Sequence, residues 1–413
     1  MTRRKNRDTP KCMDIKSWRA FTNKEMQAWL ESKRSSLDNK NNKRKKSKKG
    51  SLLAVRKNLS PVDMYCYLKA RFGEPNGFQN FLRRDDSDNL IHWDFNLKAD
   101  NEDVYICGTS REIHFFLSEN LADKDWHNFI LNIKEDYKRV GKEKKAVLQS
   151  LEKWVIFPNK FVEIANICAE HHADIVDNIA GFKSFKTPSY KTKKESLAWQ
   201  KTLKQLGERS AKLYKSCLEL SLITPVLAEA FINMTILMLC KKEIRNDKRQ
   251  FDSFIRSNID IKIFDLFYKC ESFAKVIDKD SPEFKNFKRI MDKRNHIIHG
   301  NIDPEREKIE IVYFEGKRPL FDDPGDHIGK VFDSLENRHQ PQEVIKDYEA
   351  VHEFLYYVAS CLEPKMKKGF WRIMEDGYPG YDVNRKKFGA LFPEHTVMGI
   401  LEGIRYDDEL IVN

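Results

Sequence analysis

The sequence predicts a mainly α fold: an antiparallel helical bundle in the C-terminal half, preceded by a smaller α+β domain and a basic N-terminal tail. Three observations carry this. Positive charge is concentrated at the start, because of a net +11 the first 57 residues hold +14 and leave −3 for the rest. Between Ser60 and about Lys191, stretches of period two alternate with stretches of helical period, which is the mark of mixed α and β structure. After Thr187-Pro188 the pattern becomes almost wholly helical. A length of 413 residues exceeds what one hydrophobic core usually organises, so the expected division is 1–57 tail, 58–192 α+β domain and 193–413 helical domain with a C-terminal extension.

In the tail, Trp18, Phe21, Trp29 and Leu30 are spaced loosely like one face of a short helix. Asn39 to Gly50 (NKNNKRKKSKKG) has no apolar residue and cannot offset its own ordering entropy. Its cations Lys43, Arg44, Lys45, Lys46, Lys48 and Lys49 suit a phosphate backbone, and they equally suit a solubilising linker.

Ser60-Pro61 opens a helix through Arg71, since Ser caps well and Pro fits the first helical position. Leu90 to Lys98 alternates, and Val104 to Leu117 holds two β-rich runs around Gly-Thr-Ser, so a small sheet is expected there. Helices follow from Trp126 to Val155 and from Phe161 to Ile179. In the C-terminal half helices are expected at about 195–220, 226–244, 260–277, 283–299 and 342–362, with a strand near Ile309 to Phe314. Short loops between such helices suggest an antiparallel bundle.

Eight cysteines stand singly, without the paired spacing of a disulfide framework or a zinc ribbon, which fits reduced thiols in the cytoplasm. The basic N-terminus lacks the apolar core of a signal peptide. Leu222 to Cys240 is apolar enough to suggest a membrane span, but Glu229 and Asn233 interrupt it. A buried bundle helix is the expected outcome, with no membrane involved. Cys168, His171 and His172 fall within about one turn, yet further ligands at a matching spacing are missing, so neither a metal nor a cofactor is expected.

The segment that points to chemistry is Ser281 to Gly300 (SPEFKNFKRIMDKRNHIIHG). Ser281, Pro282 and Gly300 are start and stop signals for a helix of about 282–299. On that helix Phe284, Phe287, Ile290, Met291 and Ile298 form the core-facing stripe, and Arg294, Asn295 and His299 lie in or beside it. A guanidinium in such a place needs a carboxylate or a bound phosphate. Two readings stand side by side at this point: a buried ion pair, with Glu229 as the candidate partner of Arg294, or an anion-binding reactive site.

Arg294-Asn295-His296-Ile297-Ile298-His299 resembles the Arg, polar residue, then His pattern of the HEPN superfamily of helical nucleases and nucleotide-binding domains. The resemblance covers about 195–365 and includes the following Gly300 and a preceding apolar helix with Glu229. It implies metal-independent cleavage of RNA, in which the 2′-hydroxyl attacks the adjacent phosphate. His299 would then be the acid/base group, Arg294 the phosphate clamp, Asn295 a positioning group, and Glu229 an orienting partner of Arg294. The resemblance also implies a homodimer and the role of a toxin or antiviral defence effector, with an antitoxin or regulator as a possible partner. A non-catalytic HEPN module binding a nucleotide or protein, and a basic nucleic-acid adaptor working through its tail, are the competing functions.

Overall fold

The computed structural model describes residues 10–38, 50–82, 90–179, 187–189, 191–302, 304–305, 310–322, 324–392 and 404–411. Helix outweighs strand, with 61% against 14%, and the strands are mostly at the N-terminal end. Two compact units divide the chain, residues 1–153 with 391–413 and residues 154–390. Lys43, Arg44, Lys45, Lys46, Lys48 and Lys49 lie outside the described residues.

In the first unit, β1 (Trp18–Ala20) precedes α1 (Asn23–Asp38), β2 (Ser51–Val55), α2 (Pro61–Phe72) and α3 (Phe78–Leu82). β3 (Trp93–Ala99), β4 (Glu102–Gly108), β5 (Ile113–Leu117), α4 (Asp123–Asp136) and α5 (Gly141–Ser150) follow. The five strands form an antiparallel sheet of order β1-β3-β4-β5-β2. Its core holds Tyr67, Phe95, Phe115, Trp126 and Phe129, and the Phe115 and Phe129 rings meet edge to face at 5.3 Å.

Two expected boundaries change in this unit. The stretch read as tail contributes Cys12, Met13, Ile15 and Trp18 to the core, and both β1 and β2 lie within it. The cause is a buried polar knot. Arg71 binds Asp136 at 3.0 Å and the carbonyls of Ile15 and Trp18 at 2.9 and 3.3 Å, while the Tyr67 hydroxyl donates to Asp136 at 2.6 Å. A guanidinium with several fixed acceptors can be buried without an uncompensated charge. The second change is at the far end of the chain, where residues expected to extend the helical domain dock on β2. The Asp407 carboxylate accepts the N–H groups of Arg56 (3.0 Å) and Asn58 (2.8 Å), and Tyr406 bridges to Ala54.

The second unit opens with β6 (Trp154–Ile156), α6 (Lys160–Ile179), α7 (Lys193–Leu239), α8 (Lys242–Asn246), α9 (Lys248–Arg256) and α10 (Ile259–Lys269). It continues with α11 (Pro282–Ile298), β7 (Val312–Glu315), β8 (Arg318–Phe321), α12 (His327–His339), α13 (Pro341–Ser360), α14 (Pro364–Met374), β9 (Gly380–Asp382) and β10 (Lys387–Gly389). β10, β9 and β6 make a small antiparallel sheet. Helix α6, assigned on sequence to the α+β domain, packs against α7 instead, with Phe161 and Phe231 ring centroids 5.5 Å apart and Cys168 and Ile175 in the helical core.

The two helices expected at 195–220 and 226–244 are one. Helix α7 runs through Pro225, which is buried inside it. An interior proline costs about 3 kcal/mol in an exposed helix, and here the surrounding burial of Leu220, Leu227, Ala228 and Phe231 offsets that cost. By length and composition α7 could cross a membrane, and 56% of its apolar window is buried within the unit. Helix α10 ends earlier than expected, at Lys269, because Cys270 turns into a bridge with Cys240.

Candidate functional site

Helix α11 forms as its start and stop signals predict. The Ser281 hydroxyl accepts the N–H of Phe284 (3.2 Å) and Pro282 occupies the first turn. At the other end His299 is the C-cap and Gly300 takes a left-handed φ of 61°. The N–H of Gly300 reaches the carbonyl of Ile297 (3.1 Å) and that of Asn301 reaches His296 (3.3 Å). These two bonds close a Schellman motif, which satisfies the terminal carbonyls and fixes the turn that bears His299.

The core-facing stripe is also as expected over its first half. Phe284, Phe287 and Ile290 are buried, Met291 packs against the same core, and Phe287 stacks on Phe354 of α13 at 4.4 Å. Ile298 departs from the expectation, being 54% exposed. The helix outruns its packing partners, and its last turn stands at the surface.

That geometry settles where the predicted residues go. Arg294 is half-buried, while Asn295 and His299 are exposed one turn apart. The Arg294 guanidinium donates from Nη1 to the Asn295 side-chain oxygen at 3.0 Å. Its Nε is shielded from solvent and, among the described residues, has no hydrogen-bond partner. A shielded N–H without an acceptor is costly, and an anion's oxygen would answer it. His296 takes a separate role, its Nδ1 lying 3.1 Å from the Asn301 side-chain nitrogen.

Glu229 does not serve as the expected partner of Arg294. Its carboxylate pairs with Lys262 of α10 at 3.4 Å, and the same ammonium binds the Asn233 oxygen at 3.0 Å. The Lys262 side chain is 4% exposed, so this buried cation claims the acidic residue on α7. Sequence reading missed Lys262 because its helix has an otherwise ordinary amphipathic pattern.

It also missed Asp347, a buried carboxylate on α13 held by Arg289 (2.6 Å) and Lys293 (2.7 Å) of α11. The signal was present: Asp347 occupies the stripe that includes Val344, Val351 and Phe354, a position where a charge needs partners. This clamp fixes α11 against α13 up to the residue before Arg294. Because Asp347 takes up the charges of Arg289 and Lys293, Arg294 is the one of these three cations with no carboxylate partner among the described residues.

Cys168, His171 and His172 diverge. Burial pushes the Cys168 thiol up to about 12, His171 faces Glu219 at 3.4 Å, and His172 lies against the Tyr348 ring at 5.0 Å. Comparison with known protein families, curated proteins and solved structures finds no match to this chain.

Proposed function

We propose that the second unit is a HEPN-like bundle that cleaves RNA at the last turn of α11 by a metal-independent route. The observation that supports this best is the half-buried Arg294, with its shielded and unanswered Nε, on the same capped turn as Asn295 and an exposed His299. In this reading Arg294 binds the non-bridging oxygens of the scissile phosphate and Asn295 holds the guanidinium in place. His299 takes the proton of the 2′-hydroxyl as its oxygen attacks phosphorus. The bond from phosphorus to the 5′-oxygen breaks, and that oxygen leaves with a proton from water or from the His299 of a second copy. The products are a 2′,3′-cyclic phosphate and a free 5′-hydroxyl.

A homodimer acting in the cytoplasm on cellular or invading RNA, as a toxin or antiviral effector under the restraint of an antitoxin or regulator, completes the proposal. The exposure of Asn295 and His299 supports a second reading, in which the same turn binds a nucleotide phosphate without cutting it. Purified protein incubated with total RNA in EDTA, beside the His299→Ala protein, separates the two. Cleavage by the wild-type chain alone is expected. Binding without cleavage in both proteins moves the function to the nucleotide-binding module, and salt-dependent binding that His299→Ala leaves unaltered moves it to a basic adaptor.

A further inference from the structure

Cys240 is the C-cap of α7 and Cys270 the C-cap of α10, and where the chain leaves each helix the two residues stand opposite one another in an antiparallel bridge. The hydrogen bonds define the kind of pair. The N–H of Lys241 donates to the carbonyl of Lys269 (2.9 Å) and that of Glu271 to the carbonyl of Leu239 (2.7 Å), so the two bonds bracket the cysteines. The cysteines' own N–H groups turn back into their helices, to Ile236 and Leu266, both at 2.9 Å. A pair bracketed in this way is the closely spaced one of an antiparallel ladder, with Cα atoms about 4.5 Å apart. That separation lies within the roughly 4.4–6.8 Å that a disulfide spans. Both are free thiols, and none of the other cysteines faces a cysteine across a strand or a bridge.

The surroundings suit a thiol that reacts. Cys240 and Cys270 are 4% and 2% exposed, but Lys242 and Glu271, within two residues of them, face solvent. A molecule the size of water has a short path to the pair. Burial raises both thiols, and the Arg245 guanidinium opposes that rise at each of them. Arg245 is pinned by the carbonyls of Leu237 (2.8 Å), Met238 (3.1 Å) and Lys386 (2.7 Å), while its shielded Nε has no hydrogen-bond partner among the described residues. A fixed guanidinium favours the thiolate, which is the nucleophile.

We propose that Cys240 and Cys270 form a dithiol site that hydrogen peroxide oxidises to a reversible disulfide. The Cys240 thiolate, the less buried of the two, attacks one peroxide oxygen. The O–O bond breaks, a sulfenic acid forms, and the departing hydroxide takes up the proton that the thiol gave, as water. The Cys270 sulfur then attacks the sulfenic sulfur, the S–O bond breaks, and the hydroxyl leaves with the Cys270 proton as a second water. Two thiols are oxidised to one disulfide and one peroxide is reduced to two waters. The link ties the end of α10 to the end of α7 and closes a loop that holds α8, α9 and α10. The inference is independent of RNA cleavage, since it rests on the bridge and its surroundings.

The test uses the full, folded chain, first reduced and then freed of reductant. After brief exposure to hydrogen peroxide the remaining thiols are alkylated, and linked peptides are located by fragmentation in a mass spectrometer. A Cys240–Cys270 link is expected, absent before exposure and removed by dithiothreitol, with the other cysteines alkylated. Cys270→Ser is expected to stop at the sulfenic acid, so that dimedone labels Cys240. The wild-type mapping needs no substitution and decides the matter even if that variant folds poorly. Both thiols left alkylated after peroxide, a link that forms only once urea has unfolded the chain, or a folded Cys270→Ser chain without dimedone on Cys240 overturns the inference.

Discussion

Arg294 and His299 stand five residues apart, about a turn and a half, at the end of α11, and their replacement separates chemistry from folding. Neither side chain contributes to the packed core, so Arg294→Ala and His299→Ala are expected to fold normally. Each should lower RNA cleavage by about 10²-fold or more, because a single electrostatic or acid/base group commonly supplies that much. His296→Ala, which loses the contact with Asn301, should change the rate far less. RNA carrying a 2′-deoxy sugar at the cut position should resist, since the attacking oxygen is missing. Gel assays with these three proteins and the deoxy substrate check the assignment, and full activity in His299→Ala removes it.

The same residues show how much of the site was legible. Arg294, Asn295 and His299 were found because a guanidinium and an imidazole beside an apolar stripe are conspicuous in a row of letters. Their immediate surroundings were not, because the partner of a charge is a matter of tertiary distance. Glu229 lies on an apolar helix and looked available to Arg294, yet Lys262, remote in sequence, claims it.

At the scale of elements, the end of α11 depends on Gly300. Its φ of 61° is strained for any residue with a Cβ, and no atom crowds that Cβ position, so the strain is confined to the backbone. Gly300→Ala should cost about 1 kcal/mol, read as a lower urea midpoint. It should also reduce cleavage, because the Schellman bonds that fix the His299 turn would loosen.

Helices α12 and α13 carry a pH dependence. Burial, and then the Arg338 charge, holds His339 below its ordinary value where it stacks on Tyr214 at 4.7 Å. Burial, and then His172, does the same to His352 beneath the Tyr348 ring. A histidine whose folded value is depressed favours the folded state fully above its unfolded value, and that contribution is lost as pH falls through the folded one. The melting temperature should therefore drop as pH is lowered below about 6.5, and His352→Phe should make the drop shallower. A melting temperature flat from neutrality to about pH 5 contradicts this.

Element boundaries were legible where a cap or a period defines them. Ser281 and Gly300 delimit α11, and the two runs around Gly-Thr-Ser become β4 and β5. They were obscured where packing overrides local preference, as at Pro225, which reads as a break and lies inside a continuous helix.

For the whole molecule the mainly helical class with an N-terminal sheet was readable from periodicity, and the domain limits were not. Residues 10–20 look like tail because they fall within the strongly basic first 57 residues, but Cys12, Ile15 and Trp18 are enough to fill the base of the sheet core once Arg71 ties their backbone down. This changes how the polybasic stretch should be tested. Deleting residues 1–50 would remove β1 and part of a core, whereas changing Lys43, Arg44, Lys45, Lys46, Lys48 and Lys49 to serine leaves the described fold untouched. If those cations meet RNA, the dependence of log affinity on log salt should flatten by as much as about 4, at roughly 0.7 per phosphate contact on a single strand. An unchanged slope assigns the stretch to the role of linker.

One further property follows from the length of α7. At 1.5 Å per residue a helix of this kind runs about 70 Å, more than twice the width of a small domain. Only its later part lies in the core, because Ser210 to Leu239 supplies the buried residues while every position from Lys193 to Arg209 faces solvent in full or in part. The cost of nucleating the helix is met once, at the packed end, and the outer turns are propagated from it. Amide protons along this single rod should therefore exchange with deuterium on a graded clock. The exchange should be fast near Thr192, slower turn by turn, and limited by global unfolding beyond Leu220. A uniform rate along the whole rod would mean that its outer half is held by something other than its own hydrogen bonds.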